Sequence, residues 1–261
     1  MARSSAVTII ATLALAAPSH VPPAVAQEAT EAAPASGGWT IALTPYAWFT
    51  ALKGDVATFK GAPPADVDAS FDDIIDQTNF AAMLAGEARH NRLGIVFDLN
   101  YLDISGKGDT PGQVFGDAEM DNRTLFADLA GFYEVYRDRR ISLDAIAGAR
   151  LWYVDTEVNL RAGLAQPRTD QQSEAWADPL LGVRGRAVLG RGFFLSGEAD
   201  YGGFHVGSKN TWQVIGTLGY AFNDKISARA GYRYLSVDYE DGGFVWDVDI
   251  YGPIVGLTWV F

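Results

Sequence analysis

The closing stretch Tyr251-Gly252-Pro253-Ile254-Val255-Gly256-Leu257-Thr258-Trp259-Val260-Phe261 decides the fold. Tyr251, Pro253, Val255, Leu257, Trp259 and Phe261 form one apolar set, and Gly252, Ile254, Gly256, Thr258 and Val260 form the other. Alternation of period two is the mark of a β-strand, whose successive side chains point to opposite faces. The first set is continuous and ends on an aromatic ring at the last residue. Such a face must meet a protein core or lipid, and the other strands decide which.

Working back along the chain, the same alternation recurs. Leu93, Ile95, Phe97, Leu99 and Tyr101 alternate with Gly94, Val96, Asp98, Asn100 and Leu102, and apolar positions from Leu143 to Tyr153 alternate with a face carrying Asp144 and Arg150. Ten candidate strands begin near Trp39, Phe80, Leu93, Arg123, Arg140, Ala177, Phe193, Thr211, Lys225 and Asp247. Short turns at Asn91-Arg92, Asp138-Arg139, Gly190-Arg191-Gly192 and Asn223-Asp224 alternate with connections over 53–78, 106–122, 161–176, 207–210 and 240–246, most of them longer. Hairpins with short turns at one end and longer loops at the other are the pattern of a transmembrane antiparallel up-and-down β-barrel. Ten strands are expected, with eight or twelve as the alternatives.

Charge placement separates a membrane barrel from a soluble one. Glu198 and Asp200, Arg184 and Arg186, and Arg229 and Arg233 all lie opposite continuous apolar faces. A soluble barrel with its apolar faces inward would turn these charges outward but bring other apolar faces to water, or bury the charges at roughly several kcal/mol each. A lipid-facing exterior around a polar lumen avoids both costs. The lumen is then expected to receive Arg150, Arg184, Arg186, Arg229 and Arg233 facing Glu198, Asp200, Asp144, Asp128, Asp98 and Glu87, with Arg184 and Arg186 neutralising Glu198 and Asp200. Leu99 and Leu218 face lipid. Trp39, Phe193, Tyr220, Phe222, Trp259 and Phe261 lie toward the short turns, and Tyr101, Tyr153, Tyr201, Trp212, Tyr232, Tyr234 and Tyr251 toward the long loops, as two interfacial girdles would.

The amino terminus agrees with export. Arg3 precedes the apolar run Ala6 to Ala17, and Ala24-Val25-Ala26 fits a small-residue cleavage pattern, so residues 1–26 read as a signal peptide. Residues 27–38 read as a flexible periplasmic lead-in and 39–261 as the barrel. The 261 residues contain no cysteine, which excludes disulfides and thiolate metal sites. Asp and Glu total 32 against 20 Lys and Arg, a poor match for nucleic acid.

The closing stretch resembles the terminal strand of outer-membrane barrels, which implies recognition of Tyr251, Leu257, Trp259 and Phe261 by the barrel-assembly machinery as an insertion signal. Further blocks carry a wider resemblance: 43–55 (LTPYAWFTALKGD), 68–75 (DASFDDII), 176–186 (WADPLLGVRGR), 202–213 (GGFHVGSKNTWQ), 231–239 (GYRYLSVDY) and 252–257 (GPIVGL). Together they resemble a widespread group of Gram-negative outer-membrane β-barrel proteins, over nearly the whole exported chain. That group has no assigned reaction or ligand, so the resemblance implies fold, an outer-membrane location and contact with outer-membrane lipid including lipopolysaccharide. It implies no catalytic residue and leaves the oligomeric state open.

Two function classes follow. The first is a structural barrel or a narrow, plugged, porin-like pore. The second is a rim hydrolase acting on lipid A or peptide, since omptin-like proteases and lipid A deacylases use a rim His with acidic or Ser partners. Here the rim candidate is His205, with Asp200, Ser208 and Asp238 in reach across neighbouring strands; it has no second carboxylate pair at matching depth, and a structural rim His is the simpler reading. Gly207-Ser208-Lys209 lacks the order of a phosphate-binding loop. Asp66, Asp68, Asp72, Asp73 and Asp76, and Asp238, Glu240 and Asp241, fit no calcium-loop spacing and read as solvated acidic surface. No metal site and no cofactor are assigned. Ser70 followed by Asp73 reads as a capped helix start, and Phe71, Ile74 and Ile75 are expected to fold over the mouth as a partial plug.

Overall fold

A computed structural model describes residues 38–58, 63–109, 115–162 and 166–261. The residues expected to form a signal peptide (1–26) and, but for Gly38, those expected to form a lead-in (27–38) lie outside the described residues. In chain order the elements are β1 (Trp39–Trp48), β2 (Ala51–Ala57), β3 (Ala65–Ala69), α1 (Phe71–Gln77), β4 (Thr78–His90), β5 (Leu93–Asp109), β6 (Phe115–Arg137), β7 (Ile141–Ala162), β8 (Arg168–Gly190), β9 (Phe193–Gly202), β10 (Asn210–Ala221), β11 (Ile226–Asp241) and β12 (Phe244–Val260). Strands β1 and β4 to β12 form a closed, ten-stranded antiparallel barrel in up-and-down order, sealed where Ala42 meets Val260 and Trp48 meets Ile254. Closure leaves no free sheet edge in the ring.

The short turns are set by local chemistry. Asp138 Oδ1 accepts from the backbone N–H of Arg140 and Ile141 at 2.7 Å each, and Asn223 Oδ1 accepts from Lys225 and Ile226 at 2.8 and 2.9 Å. Asn91 takes positive φ at its turn, a conformation that Asn tolerates.

At the opposite end the long connections expected from sequence are mostly strand. Strands β6 and β8 run eight and nine residues beyond the expected ends, β5 four and β7 two, so that 106–109, 115–122, 161–162 and 168–176 are strand. The connection expected over 240–246 is a two-residue turn at Gly242 and Gly243, both at positive φ, between β11 and β12. The extensions were hidden because their alternation changes sign. Near the short turns the outward positions are apolar and the inward ones charged; above Tyr251 the inward Phe244, Trp246, Val248 and Ile250 are buried and the outward Asp247 is exposed.

The wall also has one irregular seam. Strand β12 pairs first with β1 and then with β2, the handover falling at Phe49-Thr50. There Gly252 has φ +156°, and a side chain on it would collide with the Phe49 carbonyl, so the close approach requires glycine. Strand β3 returns along β2, and α1 replaces the upper part of β4, lying against β5 and β2. Ser70 caps α1: its hydroxyl accepts from the Asp73 backbone while the Asp73 carboxylate accepts from the Ser70 N–H at 2.9 Å. That contact, together with the Ser70 hydroxyl, holds the Asp73 carboxyl below its ordinary value. The helix does not plug the mouth. None of its residues is buried, Ile75 is 50% exposed, and Phe71 packs edge-on to Phe49. Seven residues with three adjacent or near-adjacent carboxylates make a surface helix.

Candidate functional site

The inward faces of the ten strands build three layers. Nearest the short turns, Arg89 reaches Glu87, Glu134 and Asp144 at 2.7–3.0 Å, Arg184 reaches Glu87 and Asp144 at 2.9 and 3.0 Å, and Arg137 closes on Glu134. The Phe132 ring lies 4.3 Å from both the Arg89 and Arg184 guanidinium carbons, and the Phe194 ring 3.6 Å from that of Arg186. Water reaches this layer, since the Glu87 and Arg184 side chains keep 28% and 16% of their exposure.

The middle layer is more deeply buried: the side chains of Arg150, Arg233 and Asp200 are at most 1% exposed, while Asp128 and Asp98 keep 13% and 18%. Arg150, with 0% exposure, grips Asp128 through two nitrogens at 2.7 and 2.9 Å, reaches Asp200 at 3.1 Å and donates to Thr211 at 3.1 Å. Arg233, 1% exposed, donates to Gln213, to the Tyr46 hydroxyl and to Asp98, all at 2.8 Å. The Tyr46 hydroxyl in turn donates to Asp98 at 2.6 Å, and Gln213 donates to Asp200 at 3.0 Å. Seven strands are tied across the lumen by these contacts. Buried ions are tolerated only when each is paired and its remaining donors are met, which this layer largely achieves.

The third layer is aromatic. Phe126, Trp152, Trp176 and Tyr239 stack in sequence with centroids 4.7, 5.4 and 4.0 Å apart, flanked by Trp48, Phe244 and Trp246. Val154, Leu235, Val237, Val248, Ile250 and Ile254 complete this buried cluster. Arg233 bridges the layers, its guanidinium carbon 4.5 Å from the Trp48 ring and 5.3 Å from Phe126.

The residues expected in the lumen are placed as follows. Arg150, Asp128 and Asp200 meet in one cluster, with Arg233 and Asp98 adjoining it; Glu87, Asp144 and Arg184 meet in another. The expected neutralisation of Glu198 and Asp200 by Arg184 and Arg186 is not the arrangement found. Asp200 belongs to Arg150, Arg184 turns toward Glu87 and Asp144, and among the described residues no salt bridge within 4.0 Å reaches Glu198, Arg186 or Arg229. Register explains this: Arg184 stands in register between Glu198 on β9 and Asp144 on β7, and its guanidinium pairs on the β7 side. Sequence reasoning missed Arg89, Glu134, Tyr46, Gln213 and the aromatic layer. Arg89 shares the parity of Glu87, a usable signal; Glu134 is masked by the irregularity between Glu134 and Tyr136.

At the rim, His205 sits in a turn at φ 62°, its backbone N–H bonded to the Ser208 carbonyl. Ser208 is not offered to His205. Its hydroxyl donates to Asp178 at 2.8 Å and accepts from the Trp176 indole at 3.0 Å, while Asp238 pairs with Lys209 and Asp200 lies in the middle layer. The set Asp200, His205, Ser208 and Asp238 is therefore not assembled. Trp259, Leu257 and Phe261 are exposed on the outer wall, Tyr251 partly so, and Phe261 donates its backbone N–H to Ile41. Among the described residues no helix is long and apolar enough to cross a membrane.

No protein-family description matches this sequence, and no curated protein matches it. Solved structures do resemble it. The outer membrane protease OmpT from Escherichia coli shares 12% identity over 87% of this chain and 98% of its own, with a TM-score of 0.53. Ail, the attachment invasion locus protein of Yersinia pestis, and Neisserial surface protein A match at 10% and 12% identity over 86% of this chain and 99% of theirs, with TM-scores of 0.35 each. The OmpT likeness shows the fold: a closed antiparallel β-barrel of the kind found among outer-membrane proteins.

Proposed function

We propose that this chain is an outer-membrane barrel whose lumen is sealed by its own side chains, a structural or plugged, non-conducting membrane protein. The observation that carries this reading is the middle layer, where the fully buried Arg150 and Arg233 are locked to Asp128, Asp200 and Asp98 directly below a stacked aromatic layer. A ten-stranded barrel is only slightly wider than the eight-stranded kind that side chains fill, so these layers suffice to close it. Membrane placement is supported by the exposed belt of Leu99, Leu129, Leu151, Leu181, Leu195, Leu218 and Leu257 on the outer wall, bounded by exposed Trp39, Tyr133, Tyr220 and Trp259 below and Tyr153, Tyr201 and Tyr232 above. Outer-membrane lipid, lipopolysaccharide included, and the barrel-assembly machinery are the partners this reading implies. Planar-bilayer recordings of the refolded protein test it. No steady conductance is expected at any holding potential; large, stable, weakly selective channels would make the protein a general pore.

A further inference from the structure

The lumen is closed at one end only. The aromatic layer seals the long-strand mouth, while the layer beside the short turns admits water. In that wet layer the three paired carboxylates are already engaged: Glu87, Glu134 and Asp144 are held by Arg89, Arg137 and Arg184. Arg186 and Arg229 are left over. Among the described residues neither has a carboxylate within 4.0 Å, and the Nε of each is buried without a hydrogen-bond acceptor. Their inward neighbours in register are Ser142 and Ser196 for Arg186, and Gly219 and Gly256 for Arg229, none of them anionic. Arg229 lies within electrostatic range of Arg186 and Arg184 as well as of the Glu87 carboxylate, which Arg89 and Arg184 already hold, and Arg186 lies over the Phe194 ring, so this end of the lumen carries more cations than its carboxylates pair.

Such an arrangement costs free energy unless an anion joins it. A guanidinium presents its N–H donors in a planar fork suited to the oxygens of a phosphate group, and two such forks can hold one group from two sides. We propose that the short-turn end of the lumen binds a phosphate-type oxyanion between Arg186 and Arg229, reached from that end of the barrel. The site does not depend on whether the barrel conducts: the recordings above address the middle and aromatic layers, and anion binding concerns the layer beneath them.

The test uses the full barrel, refolded in zwitterionic detergent, and follows the midpoint of its heat-induced gel shift against inorganic phosphate, with chloride matching the ionic strength. The midpoint should rise and saturate. Arg186→Gln and Arg229→Gln should each abolish the rise while folding at least as well as the parent in chloride, because the like-charge repulsion is relieved. Arg137→Gln, which removes an exposed cation already paired with Glu134, should retain the rise. A parallel arm replaces phosphate with phosphatidylglycerol in the micelles. A rise with inorganic phosphate assigns a free oxyanion, and a rise with the lipid alone assigns a headgroup; either upholds the pair if Arg229→Gln removes it. No rise in either arm, or an equal rise in the glutamine variants, overturns the proposal. Should a variant fail to refold, the phosphorus NMR line of phosphate decides on the unmodified protein: saturable broadening supports the site, and an unchanged line overturns it.

Discussion

Arg150 shows what one residue contributes to the lumen. It is fully buried, yet its side chain donates to Asp128, Asp200 and Thr211 at once, so its removal takes the cation from two largely buried carboxylates. Breaking a buried ion pair from one side typically costs roughly 3–5 kcal/mol, more than the pair itself is worth, because the remaining charge stays desolvated. Arg150→Met should therefore lower the unfolding free energy in lipid vesicles by about that amount. Adding Asp200→Asn to it should recover part of the loss, and a double variant no more stable than the single one would mean that Asp200 is satisfied elsewhere. Asp247 poses the opposite problem on the outer face, above the upper aromatic belt. It faces Asp55 on β2 and Asp238 on β11 directly across the sheet. Partial burial and the carboxylates of Asp238, Asp55 and Asp249 hold its acid above the ordinary value, so the folded state prefers the neutral form. That preference stabilises the fold fully below the ordinary carboxylate pKa and is lost as pH rises through the raised value. Asp247→Asn should accordingly be more stable than the parent at neutral pH and equal to it near about pH 3, below the ordinary aspartate pKa. Urea titrations at the two pH values check this, and equal stabilities at neutral pH would count against the carboxylate row.

A single strand here carries two facing rules. On β12 the inward Phe244, Trp246, Val248 and Ile250 make a core as in a soluble barrel, while nearer the chain end the outward Val255, Leu257 and Trp259 meet the surroundings. The lower rule predicts that Leu218, 48% exposed on β10, faces hydrocarbon near mid-membrane. Leu218→Arg should destabilise the barrel by roughly 2–4 kcal/mol in bilayers. Unfolding in vesicles measures it, and a neutral outcome would place Leu218 outside the hydrocarbon. The two rules also explain what could be read from sequence. The strand starts at Trp39, Leu93, Phe193 and Thr211 fall within a residue of the observed ones, because there the outward face is apolar and the turns carry Asn, Asp or Gly. The upper ends of β6 and β8 read as loops, because Glu119, Asp121 and Asp170 stand among them while the sheet is held there by backbone pairing. For the lumen, parity was legible and partnership was not. A guanidinium on a long stem reaches partners across the barrel as well as on the next strand, as Arg184 does with Glu87 and Asp144, and that choice depends on curvature and depth rather than on spacing along the chain.

At the scale of the molecule, the ring is completed by the first and last strands, with Phe261 bonded to Ile41 at the seam. If the terminal aromatic is read by the assembly machinery, removing Phe261 should reduce the amount of folded protein in outer membranes without reducing export to the periplasm. Heat-modifiable protein in membrane fractions is the measure, and unchanged amounts would show that the signal lies elsewhere in β12.

The cross-lumen contacts impose an order of events on folding. Asp98 obtains its cation from Arg233, 135 residues downstream, and Tyr46 meets the same arginine across 187 residues. The β6–β7 and β7–β8 hairpins pair Asp128 with Arg150 and Asp144 with Arg184, but Asp98 on β5 has no such local cation, so a half-built sheet that excluded water would leave it bare. The cheapest route keeps the nascent lumen wet until β11 arrives and dehydrates it only as the ring closes, making this high-contact-order chain slow to fold and all-or-none once it does.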